Sequence, residues 1–132
     1  MAFKVIDGMR TIEFGNPGAS RAGLVDLVVN GNKRATAGLL SEYELEGEPI
    51  EHVGERLGIL DNDFKMVAVV EITEVEVMRF ADVPDRFALA EAEGDLNAQD
   101  FRDSHTKFWV AAGEQINDDT QVVTLYFDLV SS

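Results

Sequence analysis

From Met66 to Phe80 the chain carries β-branched residues at a density that marks a long, half-buried strand. Val70, Ile72, Val75 and Val77 alternate in part with Glu71, Thr73, Glu74 and Glu76, the two-residue period of a strand with one face buried. Leu57, Ile59 and Leu60 form a candidate partner strand. Asp61-Asn62-Asp63 between them is turn chemistry, since these side chains bond their own backbone. A hairpin over residues 56–80 is therefore predicted, and it commits the chain to a sheet.

Helical patterns surround the hairpin. Residues 19–30 read as a helix, with Ser20 capping its start and Leu24, Val25, Leu27, Val28 and Val29 as a wide apolar face. Gly31 fits the position just past its end, and Gly15-Asn16-Pro17-Gly18 breaks the chain before it. A short helix over residues 39–48 turns Leu39, Leu40 and Tyr43 inward and ends at Pro49. Residues 82–93 read as a helix after Pro84, with Phe87, Leu89 and Ala90 inward. Asn97 caps a last helix running to about Ala112, whose apolar side carries Phe101, His105, Phe108, Trp109 and Ala112. Residues 121–130 alternate as a closing strand. Residues 3–14, with Phe3, Val5, Ile12 and Phe14, hold short extended pieces or a partial helix. The order predicts an α+β domain with a small, mostly antiparallel sheet or barrel and helices at its ends.

The 132 residues fit a single domain over residues 1–132. No apolar run is long enough for a bilayer, and the first residues do not read as a signal peptide. The sequence has no cysteine, which excludes disulfides, thiolate metal sites and cysteine nucleophiles and makes a cytoplasmic location the expectation. Net charge is −14, which argues against charge-driven binding to duplex DNA. The charge is uneven. Residues 1–40 hold five Lys and Arg against three Asp and Glu, while residues 41–132 hold six against twenty-two. Six glutamates fall within residues 41–55 with no cation among them before Arg56, a run expected to form a solvated face.

The one stretch with local positive charge is Gly31-Asn32-Lys33-Arg34-Ala35-Thr36-Ala37-Gly38. Glycine-flanked cations can approach an anionic or carbonyl ligand closely, because the backbone turns there without steric cost. A solvated loop with a strand threonine is the simpler use of the same residues. On a straight strand Lys33 and Thr36 face opposite sides, so they meet only if the chain bends. A carboxylate from the Glu91-Ala92-Glu93-Gly94-Asp95 turn is a further candidate beside Lys33, Arg34 and Thr36. A neutral, basic Lys33 requires desolvation; a nearby Glu93 keeps it charged. Lys33 then steadies an oxyanion or a phosphate, and Glu93 is the better proton acceptor. No Walker loop, dinucleotide fingerprint or nucleophile elbow is present. His52 and His105 belong to no ligand-spaced motif, so neither a metal nor another cofactor is expected. His105 lies on an apolar helix face, where a hydrogen-bonded, partly buried histidine is the ordinary outcome.

Several of these segments, in order, resemble the ASCH domain family. Gly31 to Leu40 resembles its G-x-K-x-x-T region. Glu46-Gly47-Glu48-Pro49, the strand end at Phe80-Ala81-Asp82-Val83, and Ala90-Glu91-Ala92-Glu93-Gly94-Asp95 continue the likeness. Phe101-Arg102-Asp103-Ser104-His105-Thr106-Lys107-Phe108-Trp109 looks like the family's W-R-x-x-H-x-x-F segment, with Phe101 where tryptophan is usual and Ala92 where glycine is usual. The likeness runs from about Phe14 to Val130 and is closest to the longer bacterial type. It implies a PUA-like β-barrel with flanking helices and a ligand cleft around the G-x-K-x-x-T region. Some short members hydrolyse the acetyl amide of N4-acetylcytidine with a lysine, a threonine nucleophile and a glutamate, roles that fall here on Lys33, Thr36 and Glu93. Other members are ribonucleases or bind RNA. For that use, Lys33, Arg34, Arg102 and Lys107 are the candidate phosphate contacts, His105 a further ligand contact, and Tyr43 or Trp109 the stacking surfaces, with core packing the alternative for Trp109. The ligand is thus expected to be a nucleoside, nucleotide or single-stranded RNA, turned over or merely sensed. The sequence is silent on oligomeric state.

Overall fold

The computed structural model describes residues 4–132, so Phe3 lies outside the described residues. The elements in chain order are β1 (Val5–Ile6), β2 (Met9–Ile12), α1 (Ala19–Val29), β3 (Ala35–Leu39), α2 (Leu40–Glu46), β4 (Arg56–Leu60) and β5 (Met66–Arg79). A 3-10 turn (Phe80–Asp82), α3 (Asp85–Glu91), α4 (Ala98–Ala111) and β6 (Gln121–Ser131) complete the chain. The α+β class is as expected. The six strands form one mixed sheet in the order β1-β2-β4-β5-β6-β3, with β2 and β4 parallel and the other pairs antiparallel. The sheet is open rather than a closed barrel: β1 and β3 are its two edges.

The hairpin forms as read. Asp61 Oδ1 accepts from the backbone N–H of Asp63 and of Lys65, each at 2.9 Å, and so closes the turn. The pairing of β5 with β6 shifts between Ile72 and Glu74, which oppose Phe127 and Tyr126. Thr73 is the extra residue of that bulge, and the strand bends there. The adjacent polar pair Thr73-Glu74 is therefore the mark of the bulge, and the extra residue sets Val75 and Val77 opposite Leu125 and Val123.

Residues 122–127 of strand β6 are covered on both faces. Val123, Leu125 and Phe127 join Phe14, Val25 and Val28 in one core, against β4, β5 and α1. Val122, on the opposite face, joins Leu39, Phe80, Phe87, Phe101 and Trp109 in a second core under α3 and α4. The helix spacing of Phe101, His105 and Trp109 produces this, and Asn97 caps α4 as predicted, its side chain accepting from the N–H of Asp100 at 2.9 Å.

Some expectations fail for local reasons. Ser20 lies inside α1 rather than capping it; Gly18 is the cap residue and makes no side-chain bond. Leu89 faces solvent, and Ala88 takes the inward position instead. Phe108 is partly exposed because it borders a cavity rather than the core. The glutamate run is not simply a solvated face. Arg10, distant in sequence, grips Glu55 through two bonds of 2.8 Å, and Glu51 is buried, accepting from the Tyr43 hydroxyl at 2.7 Å. The stretch Ala35-Thr36-Ala37-Gly38 joins the short strand β3 despite its low β propensity.

Candidate functional site

Lys33 leaves α1 through a tight C-terminal turn. Gly31 adopts φ 84°, and the Lys33 N–H returns to the carbonyl of Leu27 at 2.9 Å. The next residue is tied across to α3, Arg34 N–H donating to the carbonyl of Ala90 at 2.7 Å. These bonds turn the Lys33 side chain inward rather than along the helix end. It is 2% exposed. Its Nζ donates to the carbonyl of Ala35 at 2.8 Å, to Glu93 Oε2 at 2.6 Å and to the carbonyl of Glu91 at 3.4 Å. Three acceptors around one nitrogen require the three donors of an ammonium. The Phe14 ring, 5.4 Å away, completes its surroundings.

Beside this ion pair lies a cavity of about 450 Å³, within the range of small-molecule sites. Its chemistry comes from Thr36, Glu91, Glu93, Ser104 and His105, and Phe108 and Trp109 form part of its apolar wall. Lys33 is not among the lining residues; it lies behind Glu93. The opposite rim is the Phe14–Gly15 turn. The buried Arg21 holds that rim, donating to the carbonyls of Phe14 at 3.1 Å and Gly15 at 3.3 Å. Gly15 is needed here: it has φ 58°, and a Cβ would stand 2.8 Å from Ser20 Oγ.

The structure thus gathers Lys33, Thr36, Glu93 and His105 at one place. The other candidates lie elsewhere. Arg34 is exposed and paired with Asp128 on β6. Tyr43 is turned to Glu51. Arg102 bonds the carbonyl of Ala81 and the side chain of Gln99, and Lys107 is exposed on α4. Glu91, one of the candidate carboxylates of the 91–95 turn, received no role of its own from the sequence. It falls three and four residues after Ala88 and Phe87, so helical spacing placed it on the buried face of α3.

Glu91 is 1% exposed. Burial raises its carboxyl to about 8; the nearby Lys33 opposes the shift, and Glu93 and Asp95 add to it. Burial also lowers the His105 imidazole, with Glu93 opposing. The signs give a test. A raised acid contributes stability that is full below its ordinary value of 4.5 and is lost as pH rises through about 8. A lowered imidazole contributes stability that is present above its ordinary 6.5 and is lost as pH falls. Between about pH 6.5 and 8 the loss from Glu91 is unopposed by His105, so the melting temperature falls across that window. Glu91→Gln is expected to flatten the fall, measured by thermal melts at several pH values.

Although the sequence shows no ligand-spaced motif, Glu91, Glu93 and His105 each bring one possible metal-ligand atom to within 4.8 Å of the others. Lys33 Nζ already stands against Glu93, so its positive charge occupies the region a cation would need.

An open α+β sheet whose edge strand borders a cavity, over a buried lysine paired with a partly exposed glutamate, defines the class of this domain. The sequence profile of the ASCH domain matches residues 10–131, and the chain belongs to that family. It is similar to the ASCH domain from Lactobacillus crispatus JV V101, at 26% identity over 92% of this chain and 79% of that one, with a TM-score of 0.80. It is also similar to protein EF3133 from Enterococcus faecalis V583, at 29% identity over 90% of this chain and 74% of that one, with a TM-score of 0.79. Among curated proteins there is no match. No helix among the described residues is long and apolar enough to cross a membrane.

Proposed function

We propose that the cavity takes a neutral pyrimidine nucleoside, free or as one base of an RNA strand, and hydrolyses an acyl amide on it of the N4-acetylcytidine type. The observation that carries this is the lining: the hydroxyls of Thr36, Ser20 and Ser104, the Asn16 amide, two carboxyl groups and an imidazole, with no lysine or arginine among the lining residues. A phosphate entering such a site meets carboxylates and no cation. The family link to RNA is compatible, because a single base can enter while its phosphates stay outside. Arg34, Arg102 and Lys107 do not line the cavity and so offer no gathered phosphate contact there.

In this reading Thr36 Oγ1 attacks the acyl carbon, and Glu93 takes the hydroxyl proton. Lys33 fixes the Glu93 carboxylate at the cavity wall and supplies positive charge behind it. For Lys33 to reach an oxyanion directly it gives up its longest bond, to the carbonyl of Glu91 at 3.4 Å.

Calorimetric titration tests the ligand class. N4-acetylcytidine is expected to bind about tenfold more tightly than its 5′-monophosphate, and its affinity to be nearly independent of salt. Tighter binding of the phosphate, or steep salt dependence of a single-stranded RNA that outcompetes the nucleoside, favours the RNA-cleaving reading instead.

A further inference from the structure

His105 has one ring nitrogen already committed. Its Nδ1 lies 3.1 Å from the carbonyl oxygen of Phe101, one turn earlier on α4. A carbonyl only accepts, so Nδ1 carries the proton. Ser104 Oγ, 3.5 Å from Nδ1, does not reverse this, because it donates to Asp95, whose carboxylate oxygens lie at 3.0 and 3.2 Å. In a neutral His105, Nε2 is then a lone pair, and it faces Glu91 Oε1 at 3.4 Å.

That oxygen is buried and has no hydrogen-bond partner among the described residues. A bare carboxylate oxygen and a bare imidazole nitrogen repel each other at this distance, and an unpaired buried polar atom is costly. One proton between them removes both problems. The other Glu91 oxygen, Oε2, lies 4.0 Å from Lys33 Nζ, whose shortest bond goes to Glu93. Lys33, Glu93, Asp95 and His105 are the charged or titratable groups acting on Glu91 from β3's leading loop, the α3–α4 turn and α4. With Lys33 and Glu93 neutralising each other, a protonated Glu91 beside a neutral His105 adds no further charge to the buried site.

We propose that Glu91 and His105 form a second functional pair of the cavity, holding one proton that Glu91 delivers to the nitrogen leaving in amide cleavage. The proposal rests on the hydrolase reading above. The balance is complete. Thr36 Oγ1 bonds to the acyl carbon and its proton passes to Glu93. The C–N bond breaks, its electron pair stays on nitrogen, and that nitrogen takes the Glu91 proton to leave as the amine. Water then attacks the threonine ester and returns a proton to Glu91. The ester C–O bond breaks, Thr36 Oγ1 recovers the proton from Glu93, and the carboxylic acid departs.

The test is kcat and KM for N4-acetylcytidine from about pH 6 to about pH 10, in the wild type and Glu91→Gln, with folding followed by thermal melts. The wild-type kcat is expected to fall above about pH 8. Glu91→Gln is expected to lower kcat about 100-fold, with KM within about threefold, and to lose the falling limb. Should Glu91→Gln not fold, His105→Gln is read by the same criterion, and must lower kcat and displace the limb. A variant with wild-type kcat and an unchanged pH profile overturns the proton-donor role while the hydrolase reading stands. A wild type without turnover overturns both. Activity that requires added Mn²⁺ or Zn²⁺ and is lost with a chelator also overturns the proposal, in favour of a cation on Glu91, Glu93 and His105.

Discussion

Lys33→Met is expected to destabilise the fold by about 3 kcal/mol, the lower end of the cost of removing one partner of a buried ion pair. The substitution keeps the length of the side chain but removes the ammonium. Glu93 then loses its 2.6 Å partner, and the carbonyls of Ala35 and Glu91 lose a donor. The lower end applies because the Glu93 side chain is 27% exposed and recovers part of its hydration. For a chain of this length the melting temperature falls by about 10 °C. Lys33→Met combined with Glu93→Gln should recover part of that loss, since the second change removes the unpaired charge. A single variant that melts within a few degrees of the wild type would show that the pair is not buried as described.

Phe101→Ala is expected to cost about 4 kcal/mol, within the range for emptying an aromatic core position. Phe101 is 0% exposed. Its ring lies 5.8 Å from Phe80, 5.5 Å from Phe87 and 4.1 Å from the His105 ring, centre to centre. It therefore ties the turn after β5, helix α3 and helix α4 together. The loss reaches the cavity as well, because His105 loses the ring it packs on and Trp109 loses order beside it. Denaturant unfolding measures the cost; a loss under about 2 kcal/mol would mean that the neighbouring rings collapse into the space.

These two positions also show what the sequence could and could not reveal. Phe101 was legible as core, because its spacing to His105 and Trp109 is helical and Asn97 announced the helix start. The hairpin of β4 and β5 was equally legible, through alternation and turn chemistry. The open form of the sheet was not, because closure depends on whether β1 and β3 pair, and no local pattern records that. Strand β3 was hidden by its small residues, and it exists because β6 pairs with it along its whole length.

The site divides in the same way. The resemblances of the G-x-K-x-x-T region and of the segment from Ala90 to Asp95 led to Lys33, Thr36 and Glu93. The direction of the Lys33 side chain was not readable, since it follows from the C-terminal turn of α1 and the bond from Arg34 to Ala90. Arg34, Tyr43, Arg102 and Lys107 were named for their chemistry alone. Asp128, the partner of Arg34, lies on another strand, and Glu51, the partner of Tyr43, in the loop after α2, so both escaped a reading along the chain; Gln99 stands one turn before Arg102 on the same face of α4. Glu91 was the opposite case. Its helical spacing to Phe87 marked it as buried, but the family likeness placed the glutamate role two residues on, at Glu93.

The account turns on whether the cavity beside Lys33 and Glu93 cleaves an acyl amide. The direct measurement is release of cytidine from N4-acetylcytidine by the purified chain, with Thr36→Ala run in parallel and its melting temperature checked. The account predicts turnover by the wild type and a loss of about 1000-fold or more in Thr36→Ala, in keeping with removal of a nucleophile. Binding without turnover would contradict it and leave a nucleoside-sensing domain. Turnover that survives Thr36→Ala would contradict it in another way, by moving the nucleophile to water.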